Sequence, residues 1–179
     1  MTALSPDGQE LDRYITALAA GDREALAALY QRTSSAVYSF ALSLCRHTQD
    51  AEDVLQDTYL QAALAAERYV PQGRPMAWLL TIARNAALSR LRLRQRTAPL
   101  EEVDWEPTVT DEDRLVLESL LAGLGEQERQ IVALHAVAGL KHREIGELLG
   151  LPLATVLSKY SRALKKLRAY LREEVAHGA

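Results

Sequence analysis

The stretch Gly139–Arg168, GLKHREIGELLGLPLATVLSKYSRALKKLR, contains two helical periodicities separated by a break. Ile145, Leu148 and Leu149 give the first helix an inner face, and Gly150 supplies the turn. Leu153, Val156, Tyr160, Ala163, Leu164 and Leu167 then recur at helical spacing, so the segment reads as a helix-turn-helix. On a helical wheel Thr155, Ser158, Lys159 and Arg162 fall together on the outer face of the second helix. Short polar groups near the helix start with cations behind them suit a helix entering a major groove. Generic helical pairs share the periodicity, so it is the basic outer face that favours DNA.

Moving upstream, the net charge of −3 conceals a segregation by sign. Residues 1–80 hold 6 basic and 10 acidic side chains, 81–97 hold 5 and 0, 98–128 hold 1 and 10, and 129–179 hold 9 and 4. The acidic stretch TAPLEEVDWEPTVTDED has two prolines and little periodicity, which reads as a linker. Two basic surfaces joined by an acidic tether suit two contacts on one polyanion, although a charge run also serves as a solvated face.

The first basic block closes the segment WLLTIARNAALSRLRLRQR, residues 78–96. Trp78, Asn85, Ser89, Arg92 and Arg96 share one stripe of its wheel, while Arg90 and Arg94 point roughly opposite. An aromatic to stack on a base, an amide for a base edge and guanidinium groups for phosphates are what single-strand binding requires. Core packing beside Leu79, Leu80 and Ile82 is an equal reading for Trp78. Earlier still, DAEDVLQDTYLQA places Ala51, Val54, Leu55, Thr58, Tyr59 and Ala62 on one arc. Asp50, Glu52, Asp53, Gln56 and Asp57 occupy the other, with Leu60 among them. This is either a core helix with a solvated acidic face or a docking face for a basic helical partner. No local His or Lys completes an acid–base site, so catalysis is not expected.

Helical periodicity dominates throughout, and the expected class is all-α: two small helical domains, 1–97 and 113–179, joined by the acidic linker 98–112. Helices are expected from near Asp7 and Asp22, over 50–68 and 75–96, then near 111–123, 126–138, 142–149 and 153–174. The composition, 48% hydrophobic and 25% charged, is globular. Cys45 is the one cysteine and the four histidines are scattered, so neither a disulfide, a metal site nor a cofactor is expected. The start lacks a signal-peptide pattern and no apolar run reaches membrane-spanning length, so the expected location is the cytoplasm without membrane insertion.

In order and text these segments resemble the extracytoplasmic-function sigma factors of bacterial RNA polymerase, over roughly residues 10–170. DAEDVLQDTYLQA is similar to that family's helix for docking the polymerase clamp coiled coil. The resemblance implies that role for Asp50, Glu52, Asp53, Gln56 and Asp57, with Leu60 beside them. WLLTIARNAALSRLRLRQR resembles the −10 promoter-melting helix, which implies that Asn85 helps hold a flipped base and that the loop YVPQGR shapes its pocket. LGEQERQIVALHAVAGLKHREIGELLGLPLATVLSKYSRALKKLR resembles the −35-reading domain, and the family further implies contact with the polymerase flap and an anti-sigma partner. Ser89, Gly146, Ala154, Leu157 and Lys159 depart from the family, which more often has Asp, Ala, Gly, a basic residue and Arg there. The usual −35 contacts are therefore not carried over, because Arg and Lys differ in base recognition. Two rivals predict different behaviour. A stand-alone helix-turn-helix regulator binds duplex DNA alone, whereas a helical sequestering protein shows no salt-dependent DNA binding even with polymerase.

Overall fold

The computed structural model describes residues 8–97 and 120–177, and these are helical with no strand. The helices are α1 Gly8–Ala19, α2 Arg23–Cys45, α3 Thr48–Ala65, α4 Pro75–Thr97, α5 Glu126–Val132, α6 His142–Leu149 and α7 Leu153–His177. The sequence expectation of one helix over 50–68 resolves into α3 and a closing 3-10 turn, Ala66–Arg68. That over 126–138 resolves into α5 and a wider π-type turn, Ala133–Val137. The expected helix near 111–123 and the linker fall largely outside the described residues, which regain helix at 120.

α2 is the axis of the fold. Its Asp22 cap accepts from the backbone N–H of Glu24 and Ala25, and it ends in left-handed Arg46. Every residue from Ala36 to Ser43 is buried, so this helix is covered on all sides, by α1, α3 and α4 and also by the segment around α5. Such a position tolerates few polar groups, and its buried Thr and Ser hydroxyls are satisfied locally. The hydroxyls of Thr33, Ser39 and Ser43 donate to the carbonyls of Leu29, Ser35 and Phe40.

The C-terminal half packs on α2 through Arg129, which is 4% exposed. Its guanidinium donates to the carbonyls of Leu124, at 2.7 Å, and Ser43, at 3.5 Å, tying α5 to the end of α2. Leu124, Ile131, Leu134, Leu140, Ile145, Val156 and Ala163 continue one core with Phe40, Leu42, Leu79 and Leu80. The helix-turn-helix is then pinned to α5 by Glu128. Its carboxylate accepts from the backbone N–H of Gly125 at 2.9 Å and from Lys166 of α7 at 2.6 Å.

The Lys166 hydrogen bond holds the Glu128 carboxyl below its ordinary value, outweighing the opposing effect of burial, and the Gly125 N–H adds to it. A depressed carboxyl stabilises the fold above the ordinary carboxylate range, and that contribution is lost as pH falls through the folded value. Glu128→Gln is therefore expected to destabilise the chain at neutral pH. The gap from the natural chain should narrow in acid, as read from urea unfolding at the two pH values. A gap independent of pH would refute the assignment.

Candidate promoter and polymerase interfaces

The ion pairs between α3 and α4 organise the first half. Arg90 contacts Asp53 at 2.7 Å and Asp57 at 3.4 Å, and Arg94 contacts Asp50 at 2.6 Å. Alternate residues of a helix point about 200° apart. With Arg90 and Arg94 turned to α3, Arg92 and Arg96 must face the other way, and both are exposed together with Asn85 and Ser89. The four sequence-predicted residues thus share one open face of α4.

These pairs narrow the expectation for the acidic arc. Asp50, Asp53 and Asp57 are half-buried and engaged with α4, not wholly given to a partner. Among the exposed residues of α3, Gln56, Leu60 and Leu64 lie one helical turn apart, with Glu52 half-exposed beside them. Leu60 is 65% and Leu64 80% exposed. Leu64 lay beyond the quoted acidic motif, but its spacing of four from Leu60 was the available signal.

Trp78 takes the core-packing side of its two readings. It is half-buried against the core, and its ring meets Tyr69 at 4.8 Å and 55°. The Tyr69 hydroxyl donates to Asp12 of α1, which anchors the pair, and burial followed by that bond raises the phenol's pKa. Beside the rings lies a cleft of about 430 Å³ lined by Arg68, Tyr69, Gln72, Arg74 and Trp78 on one side. Glu144, Glu147 and Leu148 of α6 form its other wall. Arg74 spans the gap, 3.0 Å from Glu147 and 4.0 Å from Glu144. The cleft combines stacking surface with the Arg68 guanidinium, while Arg74 is held by the two carboxylates of the α6 wall.

In the second half α6 ends at Gly150, which has a left-handed φ of 67°, as the expected turn requires. His135, His142 and Tyr160 form a cluster behind the turn, with the imidazoles 4.1 Å apart, so these histidines brace α7. Burial and then His135 lower the pKa of His142. The outward face of α7 is rotated from the sequence expectation. Ser158 and Arg162 are exposed, but Thr155 and Lys159 are half-buried. Ala154, Leu157, Ser161 and Lys165, absent from the expected face, are exposed beside them. The apolar pattern alone missed this because Tyr160 and Leu164, only half-buried, widen the inner arc.

Burial pushes the Cys45 thiol up to about 12, so no thiolate is available. Among the described residues no three His, Cys, Asp or Glu side chains group to hold a metal. No helix among them is long and apolar enough to cross a membrane.

Comparison with known proteins accounts for the arrangement. Residues 29–97 match sigma-70 region 2, and residues 114–167 match sigma-70 region 4. The ECF RNA polymerase sigma factor SigK of Mycobacterium ulcerans (strain Agy99) is 31% identical over 182 residues, covering 94% of this chain and 97% of its own. The chain belongs to the extracytoplasmic-function sigma factors. The SigK of Mycobacterium sp. (strain KMS) is likewise 31% identical, over 89% of each chain. Two solved structures share the fold with a TM-score of 0.63. CnrH in complex with the cytosolic domain of CnrY is 29% identical and covers 91% of this chain and 98% of that one. The sigma factor RpoE in complex with the anti-sigma factor NepR from Bartonella quintana is 26% identical, covering 80% and 94%. This sigma factor therefore directs promoter recognition by RNA polymerase and is not an enzyme.

Proposed function

We propose that the sigma factor divides its work among three faces. The outward face of α3, with Glu52, Gln56, Leu60 and Leu64, docks the clamp coiled coil of core polymerase. The open face of α4, with Asn85, Ser89, Arg92 and Arg96, holds the melted −10 strand, and a displaced base enters the cleft beside Trp78. The exposed arc of α7, with Ser158 and Arg162 at its centre and Thr155 and Lys159 at its margin, reads the −35 element. Region 4 also meets the polymerase flap, and the acidic segment 98–112 links the two units, 1–97 and 113–179. The observation that carries this reading is the split of the α4 arginines: one pair is tied to α3, and the other is exposed beside the aromatic cleft. Acting on core polymerase, the chain works in the cytoplasm. The two solved relatives were captured with CnrY and with NepR, and an anti-sigma partner is proposed here too.

Transcription by core polymerase plus this chain from a promoter library tests the whole reading. Absence of any promoter-specific product would reject it. The docking face has its own test. Changing Leu60 and Leu64 together to Ser removes exposed apolar contacts without touching the core. Buried anchors at an interface contribute more than about 1 kcal/mol each, so core affinity should fall by about tenfold or more. Unchanged affinity in a fluorescence titration would remove α3 from the interface.

A further inference from the structure

Leu157 stands on α7 where the face meant for a polyanion should be polar. It is 47% exposed, with Leu153 one turn earlier at 42%. Neither belongs to the core nor to the half-buried layer packed on it, although Leu148, Leu149, Leu151, Tyr160 and Leu167 do. Exposed Ser158 and Ser161 flank Leu157 on the helix surface, and Arg162 and Lys165 lie further along the same arc. A large apolar side chain within a polar, cationic reading face matches one feature of a major groove. Of the base edges there, only thymine presents an apolar group, its C5-methyl.

We infer that Leu157 is a specificity-determining residue that packs on a thymine methyl in the −35 element, with Leu153 widening the apolar ridge. This rests on the proposed reading of α7 as the groove helix, and it adds a base preference to that reading. The cations supply sequence-independent attraction to phosphate. Leu157 offers no hydrogen bond, so its discrimination comes from excluding water between its methyls and that of thymine. A cytosine at the same place presents an amine to this apolar surface and is disfavoured.

The test uses the full chain with core polymerase on its own selected promoter. Each thymine upstream is replaced in turn by deoxyuridine, which removes the methyl and nothing else. Burial of one methyl-sized group corresponds to about a fourfold change in affinity, so one position should weaken complex formation by about that factor. In the Leu157→Ala protein, thymine and deoxyuridine should bind equally there. An exposed Leu-to-Ala change on a helix leaves the fold intact, and circular dichroism verifies it. If no upstream thymine is methyl-sensitive, or if sensitivity persists in Leu157→Ala, the inference fails while the groove reading stands. Weakened binding of Leu157→Ala to core polymerase without DNA would make the residue a polymerase contact and overturn it as well. If scrambling the entire upstream element changes nothing, the groove reading of α7 itself fails.

Discussion

Replacing Gly146 by alanine is expected to loosen the helix-turn-helix, even though alanine is the better helix former. A Cβ built at this position lies 2.7 Å from the carbonyl oxygen of Leu151 and 3.8 Å from a methyl of Val156. The first contact is with backbone, which cannot swing aside as a side-chain tip would. The turn is held there by the Leu151 N–H, which donates to the Gly146 carbonyl at 2.9 Å, so it must open to admit a methyl. Alanine gains about 1 kcal/mol in helix propensity over glycine. Overpacking typically costs about 1–3 kcal/mol, and the backbone clash places this site at the upper end. A net loss of about 1–2 kcal/mol should lower the melting temperature by about 2–4 °C for each kcal/mol. Reorienting α7 against α6 should also weaken use of the −35 element more than of the −10 element. Calorimetry decides the first point. A melting temperature equal to or above that of the natural chain would mean the turn relaxes freely.

That substitution shows why some of the fold could be read in advance and some could not. The helix-turn-helix was legible because Ile145, Gly150 and Val156 form a local code of apolar spacing and a positive-φ turn. The tightness around Gly146 was not, since it depends on the separation of two backbones. The same distinction applies in the first half. The wheel divided the arginines of α4 correctly into two faces, because azimuth is a property of one helix. It could not show that Arg90 and Arg94 would meet Asp53, Asp57 and Asp50, which are some forty positions away. The acidic arc therefore looked open to solvent or a partner when three of its four carboxylates were already engaged. The outer arc of α7 was misjudged for a related reason. How deeply Thr155 and Lys159 sink is fixed by the packing of α7 on α6 and α5, which no single helical wheel contains.

Changing the two α4 arginine pairs to glutamine should give opposite phenotypes. Arg92→Gln with Arg96→Gln alters two exposed side chains, so stability should move by no more than about 0.5 kcal/mol per site. If both hold phosphates of the melted strand, the salt dependence of promoter binding should fall by about two charges, and opening should drop sharply. Arg90→Gln with Arg94→Gln strips the counter-charges from Asp50, Asp53 and Asp57. These pairs are a third or more exposed on the arginine side, and solvent screening limits each to roughly 1 kcal/mol or less. The loss of their network and the repulsion left among three carboxylates should still lower the melting temperature by several degrees. Promoter opening per folded molecule should then stay closer to normal than in the first double variant. Permanganate reactivity of unpaired thymines, measured at a temperature where both proteins are fully folded, separates the cases. Equal opening by the two, or greater damage from the Arg90 and Arg94 changes in folded protein, would reject the open face of α4 as the strand-binding surface.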